Sequence, residues 1–234
     1  MAPAPRFSAE QQESMILSAA AETIEKSSLL DFSMSAIAKL AGLSVGSVYK
    51  FVQCKEDVLI ALATKMYQEK QRVFQQVLSL PLTAPERLIA ISLLDFSKVQ
   101  MFSFDDQLES IVNTRAIMKR SSRRWLDHMI ANSKVCEVSF QNFLEAAVES
   151  GELKATPETL AELSVGGWSL MVGYFQTVRL HLSWNSEQEL ANFDRLQPLS
   201  EDNVHIKNLQ RFINTFSWQQ PLSAVDIEKV CQHL

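Results

Sequence analysis

The chain has 234 residues, 47% of them hydrophobic and 21% charged, with a formal net charge of −5. That is enough apolar material for a sizeable core, held in one large domain or in a small domain joined to a larger one. No run approaches the roughly 20 apolar residues of a membrane-spanning helix, and an acidic chain does not coat anionic polymers by bulk electrostatics.

Apolar residues recur every three or four positions and strand-like alternation is missing, which predicts an all-α chain. In the first helix Ile16, Ala19, Ala20 and Ile24 form one stripe, with Ser8 placed to cap the N-terminus. After a loop at about 27–32, a short helix over about 35–41 turns Ile37, Ala38 and Leu40 to the core and ends at Gly42, the residue type that adopts left-handed backbone angles cheaply. Ser44 caps a third helix over about 45–51. Cys54 stands where a long fourth helix begins; Glu56 and Asp57 suit its dipole, and Val58, Leu62, Met66, Val73 and Val77 mark one face to about Ser79. Pro81 and Pro85 bracket a linker, and Pro85 fits the first turn of a helix carrying Leu88, Ile91, Leu94 and Val99. A shorter helix follows Asp105 and Asp106, with Leu108, Ile111 and Val112. A long helix over about 122–150 then stops at Gly151. A helix over about 157–180 carries Leu160, Leu163, Gly167, Met171, Tyr174 and Val178 on one side. The stretch 181–203 is polar and broken by Pro198. A last strong helix over about 204–218 carries Ile206, Leu209, Ile213 and Phe216, and Ser223 caps a short tail helix.

Met1 to Ser8 has one basic residue and no apolar stretch, so no secretory leader is expected and the expected address is cytoplasmic. Cys54, Cys136 and Cys231 are far apart, with no CxxC pair and no histidine at ligand spacing. Reduced thiols are expected, with no metal site and no cofactor. His128, His181, His205 and His233 are scattered, whereas metal and acid–base sites need clustered partners. Gly-rich phosphate loops, nucleophile elbows and zinc-protease motifs are also missing, so an enzyme is not expected.

The informative stretch runs from Ser33 to Lys55. Two short helices joined by Gly42-Leu43-Ser44 have the length and turn of a DNA-binding helix-turn-helix. The small residues Ser44, Val45, Gly46 and Ser47 let the second helix enter a major groove end-on. Ser47 can hydrogen-bond a base edge or phosphate, and Val45 can pack on a thymine methyl. Tyr49 and Lys50 can reach phosphates, as can Lys55 beside the free N–H groups of the fourth helix. The plainer reading is a helical hairpin that only packs.

These residues also bring a family into view. Ile16, Ala19, Ala20, Ser33, Ile37, Ala38, Ala41, Gly42, Leu43, Ser44, Gly46, Tyr49, Lys55 and Glu56 follow, in order and without a gap, the pattern of the tetracycline-repressor-like (TetR) regulators, which the segment closely resembles. The resemblance implies DNA contacts from Ser33, Ser35, Ser44, Val45, Gly46, Ser47, Tyr49, Lys50 and Lys55. Glu149-Ser150-Gly151-Glu152-Leu153 with Pro157-Glu158 is a weaker echo, similar to the family's junction before its dimer helices. Ser28 departs from the family's usual Gly, Glu13 from Arg, Phe51 from His or Tyr, and Val52 from Phe. A protein that reaches fewer phosphates binds DNA more weakly and with a flatter salt dependence.

The expected organisation is an N-terminal three-helix DNA-binding domain over 8–54, with the helix-turn-helix at about 33–52, and a connecting helix over 55–79. A larger C-terminal helical domain for effector binding and dimerisation follows over 80–234. Ile206, Leu209, Ile213 and Phe216 have the spacing of a helix-packing seam, and Gly166, Gly167 and Gly173 give the preceding helix flat patches. The resemblance implies that these helices pair with their copies in a homodimer; packing within one chain is the other reading. A dimer would set two recognition helices about 34–36 Å apart for a near-palindromic double-stranded operator.

Met101, Phe102, Phe104, Met118, Trp125, Met129, Phe140, Phe143, Trp168, Met171 and Phe175 are candidates to line a pocket for an apolar effector, or are ordinary core. Arg115, Lys119, Arg120, Arg123 and Arg124 form either a solvated face or a seat for an anionic effector. The implied mechanism is a repressor released from its operator by a small, largely apolar ligand that shifts the helix over 55–79. Alternatives are control by a protein partner or by concentration, with no small effector. A redox response through Cys54 is another, since the helix N-terminus and Lys55 would lower its thiol pKa.

Overall fold

The computed structural model describes residues 7–185 and 198–234. Part of the N-terminal segment (1–6) and part of the polar stretch (186–197) lie outside the described residues.

Helix α1 (Ala9–Lys26) starts in a reciprocal capping box: Ser8 Oγ accepts the Gln11 N–H at 3.1 Å, and the Gln11 side chain accepts the Ser8 N–H at 2.9 Å. Such a cap contributes about 1 kcal/mol. Ser33 caps α2 (Met34–Ala41) through the Ala36 N–H, and Gly42 ends it at φ 65°. Ser44 caps α3 (Val45–Phe51) through the Ser47 N–H. Next come α4 (Lys55–Leu78) and α5 (Ala84–Leu93). The expected continuation of α5 to Leu94 and Val99 is not observed. Asp95 instead caps a 3-10 turn (Phe96–Lys98) through the Ser97 N–H.

Helices α6 (Asp105–Val112), α7 (Arg115–Arg120) and α8 (Arg123–Glu149) follow, and Gly151 at φ 81° closes the last. Helix α7 was not expected: Thr114 caps it through the Ile117 N–H, and Ile117 and Met118 are only half-buried, so it carries no apolar stripe to read. Helix α9 (Pro157–Asn185) runs beyond the predicted end. Helix α10 (Val204–Ile213) stops short of Trp218. Its end is set by Asn214, whose side chain donates to Leu222 O at 2.9 Å and accepts from the Leu222 N–H at 2.8 Å. The chain then forms strand β2 (Ser217–Trp218), antiparallel to β1 (Leu153–Lys154), with Leu153 opposite Trp218. Ser223 and Asp226 cap α11 (Ala224–His233) reciprocally, as the serine predicted.

The chain packs as two compact units. The first comprises Met1–Lys70 with Gln100–Val135, the second Gln71–Val99 with Cys136–Leu234. The core of the first joins Ile16, Ala20, Ile37, Val48, Val58, Leu62 and Met66 to Phe104, Leu108, Val112, Trp125 and Met129. Leu40, read as core, is 44% exposed; Ile37, Ala38 and Ala41 carry the inward face of α2.

In the core of the second unit the seam packs within the chain, the other of its two readings. Ile206, Leu209 and Ile213 are buried within this one chain, among Ile89, Leu144, Leu153 and Trp218. Phe216 lies beyond the helix and half-buried, its ring 5.2 Å from Phe212. Gly166 likewise serves an intrachain approach, because a Cβ there would stand 2.3 Å from Phe212 Cζ. Gly167 lies beside the same ring at an ordinary 3.9 Å, and Gly173 faces open space. Forcing a methyl into a packed contact costs about 1–3 kcal/mol. Gly166→Ala is therefore expected to destabilise the chain by about that amount, read as a lower urea midpoint. Gly173→Ala, with no neighbour to displace, should leave the midpoint unchanged or raise it slightly.

Candidate nucleic-acid interface

The turn between α2 and α3 is built by backbone hydrogen bonds that only its glycine permits. The Gly42 N–H reaches Lys39 O, and the Leu43 N–H reaches Ala38 O at 3.0 Å. This αL ending fixes the direction in which α3 leaves. In α3, Val48 is fully buried and is the anchor, while Val45 is 42% and Tyr49 47% exposed. Ser33, Ser35, Ser44, Gly46, Lys50 and Lys55 are also exposed, and Ser47 is half-buried. Ser44 Oγ lies 2.9 Å from Ser47 Oγ, and Lys55 Nζ stands over the Phe32 ring at 5.1 Å. A Cβ on Gly46 would meet only Ser44 Oγ, at 3.8 Å, so packing within the chain does not demand this glycine. The outward side of α3 therefore offers hydroxyls, a small apolar side chain, an aromatic ring and two flanking lysines.

Three of the four departures from the family pattern have local explanations. Ser28 Oγ accepts the N–H groups of Leu30 and Asp31, at 3.2 and 3.1 Å, so the turn after α1 is held by a side chain and no non-glycine residue needs positive φ. Val52 is fully buried and fills a core position. Phe51 packs edge-on against Trp125 at 5.1 Å, and its carbonyl accepts the Trp125 Nε1–H at 3.2 Å.

That tie between Phe51 and Trp125 belongs to a support which sequence reasoning missed. Asp57 is fully buried; its Oδ2 accepts the Gln53 N–H at 2.9 Å and its Oδ1 the Ser122 N–H at 2.6 Å. Cys54 Sγ donates to Arg120 O at 3.4 Å, and Arg120 pairs with Glu56 at 2.8 Å. The α3–α4 turn is thus tied to the corner between α7 and α8. An acid in the first turn of α4 is the one local signal of it. The same surroundings count against the redox reading of Cys54. Burial, with the carboxylates of Asp57 and Glu56 adding to it, pushes the thiol up to about 11, so it stays protonated and a poor nucleophile at neutral pH.

The effector candidates do not fall in one unit. Phe102, Phe104, Met118, Trp125 and Met129 belong to the core of the first, with Phe102 and Phe104 stacked at 5.2 Å. Phe140, Phe143, Met171 and Phe175 pack on the core of the second. Met101 and Trp168 are 44% and 54% exposed. The second unit also holds a cluster that the scattered sequence positions hid. Phe96 sits edge-on between Phe74 and Phe175, at 6.3 and 5.5 Å. Tyr174 stacks on His205 at 4.6 Å, and His205 Nε2 lies 3.2 Å from Ser92 Oγ. Burial alone lowers the His205 pKa to about 4. Among the described residues, no group of three or more His, Cys, Asp or Glu could hold a metal ion, and no helix is long and apolar enough to cross a membrane.

A Gly-turned pair of short helices, the second anchored by Val48 and by Phe51 against Trp125, has the geometry of a DNA-binding helix-turn-helix. Residues 16–62 match the family "Bacterial regulatory proteins, tetR family". No curated protein sequence matches the chain. Solved structures match its fold. The regulator FadR from Bacillus subtilis, in complex with stearoyl-CoA, is 19% identical, with a TM-score of 0.53 over 84% of this chain and 96% of its own. A regulator assigned to the TetR family from Mesorhizobium loti is 17% identical, with a TM-score of 0.57 over 91% and 100%. A TetR/AcrR-family regulator from Thermobifida fusca is 15% identical, with a TM-score of 0.53 over 82% and 99%. Residues 16–62 thus form a TetR-family DNA-binding domain, in a chain whose overall fold is like that of TetR-family regulators.

Proposed function

We propose that the protein is a homodimeric repressor that reads a near-palindromic operator through α3 and leaves it when a largely apolar ligand binds the second unit. The observation that carries the DNA half is the outward side of α3: every residue around buried Val48 that could meet a base or phosphate faces out or is half-buried. Ser33, Ser35, Ser44, Val45, Gly46, Ser47, Tyr49, Lys50 and Lys55 are the proposed contacts.

The dimer half moves from α10, whose apolar residues are used within the chain, to the outer face of α9. Val165 is 66% and Trp168 54% exposed there. Exposed large apolar groups at helical spacing suit a partner helix. For the ligand, the fold likeness to a regulator bound to stearoyl-CoA makes a long-chain acyl thioester the first class to test. The phenylalanine-rich second unit supplies the apolar chemistry such a ligand needs. Release would run through α4, which contributes residues to both units. A coupling of about 1–3 kcal/mol between ligand and operator is enough for a switch.

The test is fluorescence anisotropy of the full chain with duplexes drawn from around its own gene. One near-palindromic duplex should bind tightly. Tyr49→Ala is expected to weaken that complex by about 1.5–3 kcal/mol, the worth of a hydrogen bond to a charged phosphate. Lys55→Ala should lower the slope of log K against log salt by about 0.9, one phosphate contact. Equal weak binding to every duplex, indifferent to both changes, would overturn the operator reading. Operator affinity unchanged by saturating stearoyl-CoA would remove that ligand and leave control by a partner or by concentration.

A further inference from the structure

Helix α3 and the start of α4 are short of cations, with Lys50 and Lys55 alone on the proposed DNA-facing side. The corner docked beside them is not. From Ser110 to Leu126 the chain has no carboxylate and carries Arg115, Lys119, Arg120, Arg123 and Arg124. This corner is held against the α3–α4 turn by the Asp57 bridge, the Trp125–Phe51 hydrogen bond and the Cys54–Arg120 contact. The Arg124 guanidinium lies 5.7 Å from the ring of Phe51, the last residue of α3, and 5.5 Å from that of Trp125. Arg120 reaches the first turn of α4 through Glu56 while 74% of its side chain stays exposed. Arg123, 85% exposed, has only a solvent-facing pair with Asp127 one turn on, the kind that exchanges partners at little cost. Arg115 and Lys119 meet no carboxylate among the described residues.

A recognition helix in the major groove is bounded on both sides by phosphate strands, and groups at its C-terminal end face one of them. Cations there add affinity without sequence preference, each releasing counterions. We infer that the α7–α8 corner is a second DNA-contacting element, in which Arg124, Arg123 and Arg120 bind the phosphate backbone flanking the groove that α3 reads. This rests on the DNA-binding reading proposed for α3. It supplies the phosphate contacts that Glu13, Phe51 and Val52 withhold from the helix-turn-helix itself. The corner and α3 are locked by side-chain-to-backbone hydrogen bonds, so these arginines are presented in a fixed register to the recognition helix.

The experiment compares the full chain with two double variants on a mixed-sequence pool of 30-base-pair duplexes, titrated with salt. Arg123→Gln with Arg124→Gln spares the Arg120–Glu56 pair. It should lower the slope of log K against log salt by about 1.8, two contacts at about 0.9 each, and weaken every duplex alike. Arg123→Lys with Arg124→Lys keeps both charges but removes the planar stacking on Phe51 and Trp125, and should keep the slope. An unchanged slope in the glutamine variant overturns the inference. So does equal loss of binding in both variants with a lower melting temperature, which would make the arginines structural. So would intact DNA binding together with abolished stearoyl-CoA binding, which would make the corner an effector seat. Failure of the unmodified chain to bind any duplex at low salt overturns this inference together with the operator reading. Loss confined to Tyr49→Ala would instead sink the corner and leave that reading standing.

Discussion

Asp57→Ala is expected to lower the unfolding free energy by about 3–5 kcal/mol and to weaken DNA binding along with it. Asp57 is fully buried, and each of its oxygens satisfies a different backbone N–H, Gln53 before α4 and Ser122 before α8. Alanine leaves both donors without partners, at about 1–3 kcal/mol each, and opens a void where the carboxylate stood. The α3–α4 turn is then no longer tied to the corner, so the C-terminal end of α3 should become mobile. Asparagine keeps one acceptor but turns an amide N–H toward the other donor, so Asp57→Asn should recover less than half of the loss. Thermal unfolding followed by circular dichroism reads the first effect, and protection of the Val52 and Gln53 amides from hydrogen exchange reads the second. A melting temperature unchanged in Asp57→Ala would show that the bridge contributes nothing net.

Acid should destabilise the second unit through His205. Burial between Tyr174 and Ser92 lowers its pKa to about 4 in the folded chain, whereas an unfolded histidine titrates near 6.5. Between those values the unfolded chain binds the proton and the folded chain does not, so stability rises with pH there. The stabilisation is complete at pH 7, falls as pH drops below about 6.5, and has fallen by about 3 kcal/mol at pH 4. Replacing His205 with Phe removes the titrating group and keeps an aromatic ring against Tyr174. Urea unfolding at pH 7 and pH 4.5 should show a midpoint difference in the parent chain that shrinks in His205→Phe. Equal differences in both would place the acid sensitivity elsewhere.

The helix-turn-helix was legible because its determinants are local. Ser8, Ser33, Ser44 and Gly42 act on groups within four residues, and the stripe Ile16, Ala19, Ala20 and Ile24 is a single helical period. What escaped is long-range. The Asp57–Ser122 bond spans 65 residues and the Ser92–His205 pair 113, and neither leaves a periodic trace. The seam of Ile206, Leu209 and Ile213 was read correctly as a packing face, but its partner was undetermined: helical spacing looks the same whether the neighbour is α9 of the same chain or a second copy. Leu40 went the other way, because a short helix offers too few turns to tell its flank from its inward face. The candidate pocket scattered for a related reason, since methionine and phenylalanine mark apolar surroundings without saying which core they share.

The division of the first packing unit bears on protein engineering. Phe104, Leu108, Val112, Trp125 and Met129 complete the core around Val58, Leu62 and Met66. A DNA-reading module cut from this chain after Lys70 would leave those side chains behind and bare the α4 face that they cover. A hybrid regulator that borrows its operator preference should therefore carry two stretches, 1–70 and 100–135, joined through the recipient's own intervening residues. Shuffling that exchanges only the first stretch should give hybrids that aggregate before they ever meet an operator.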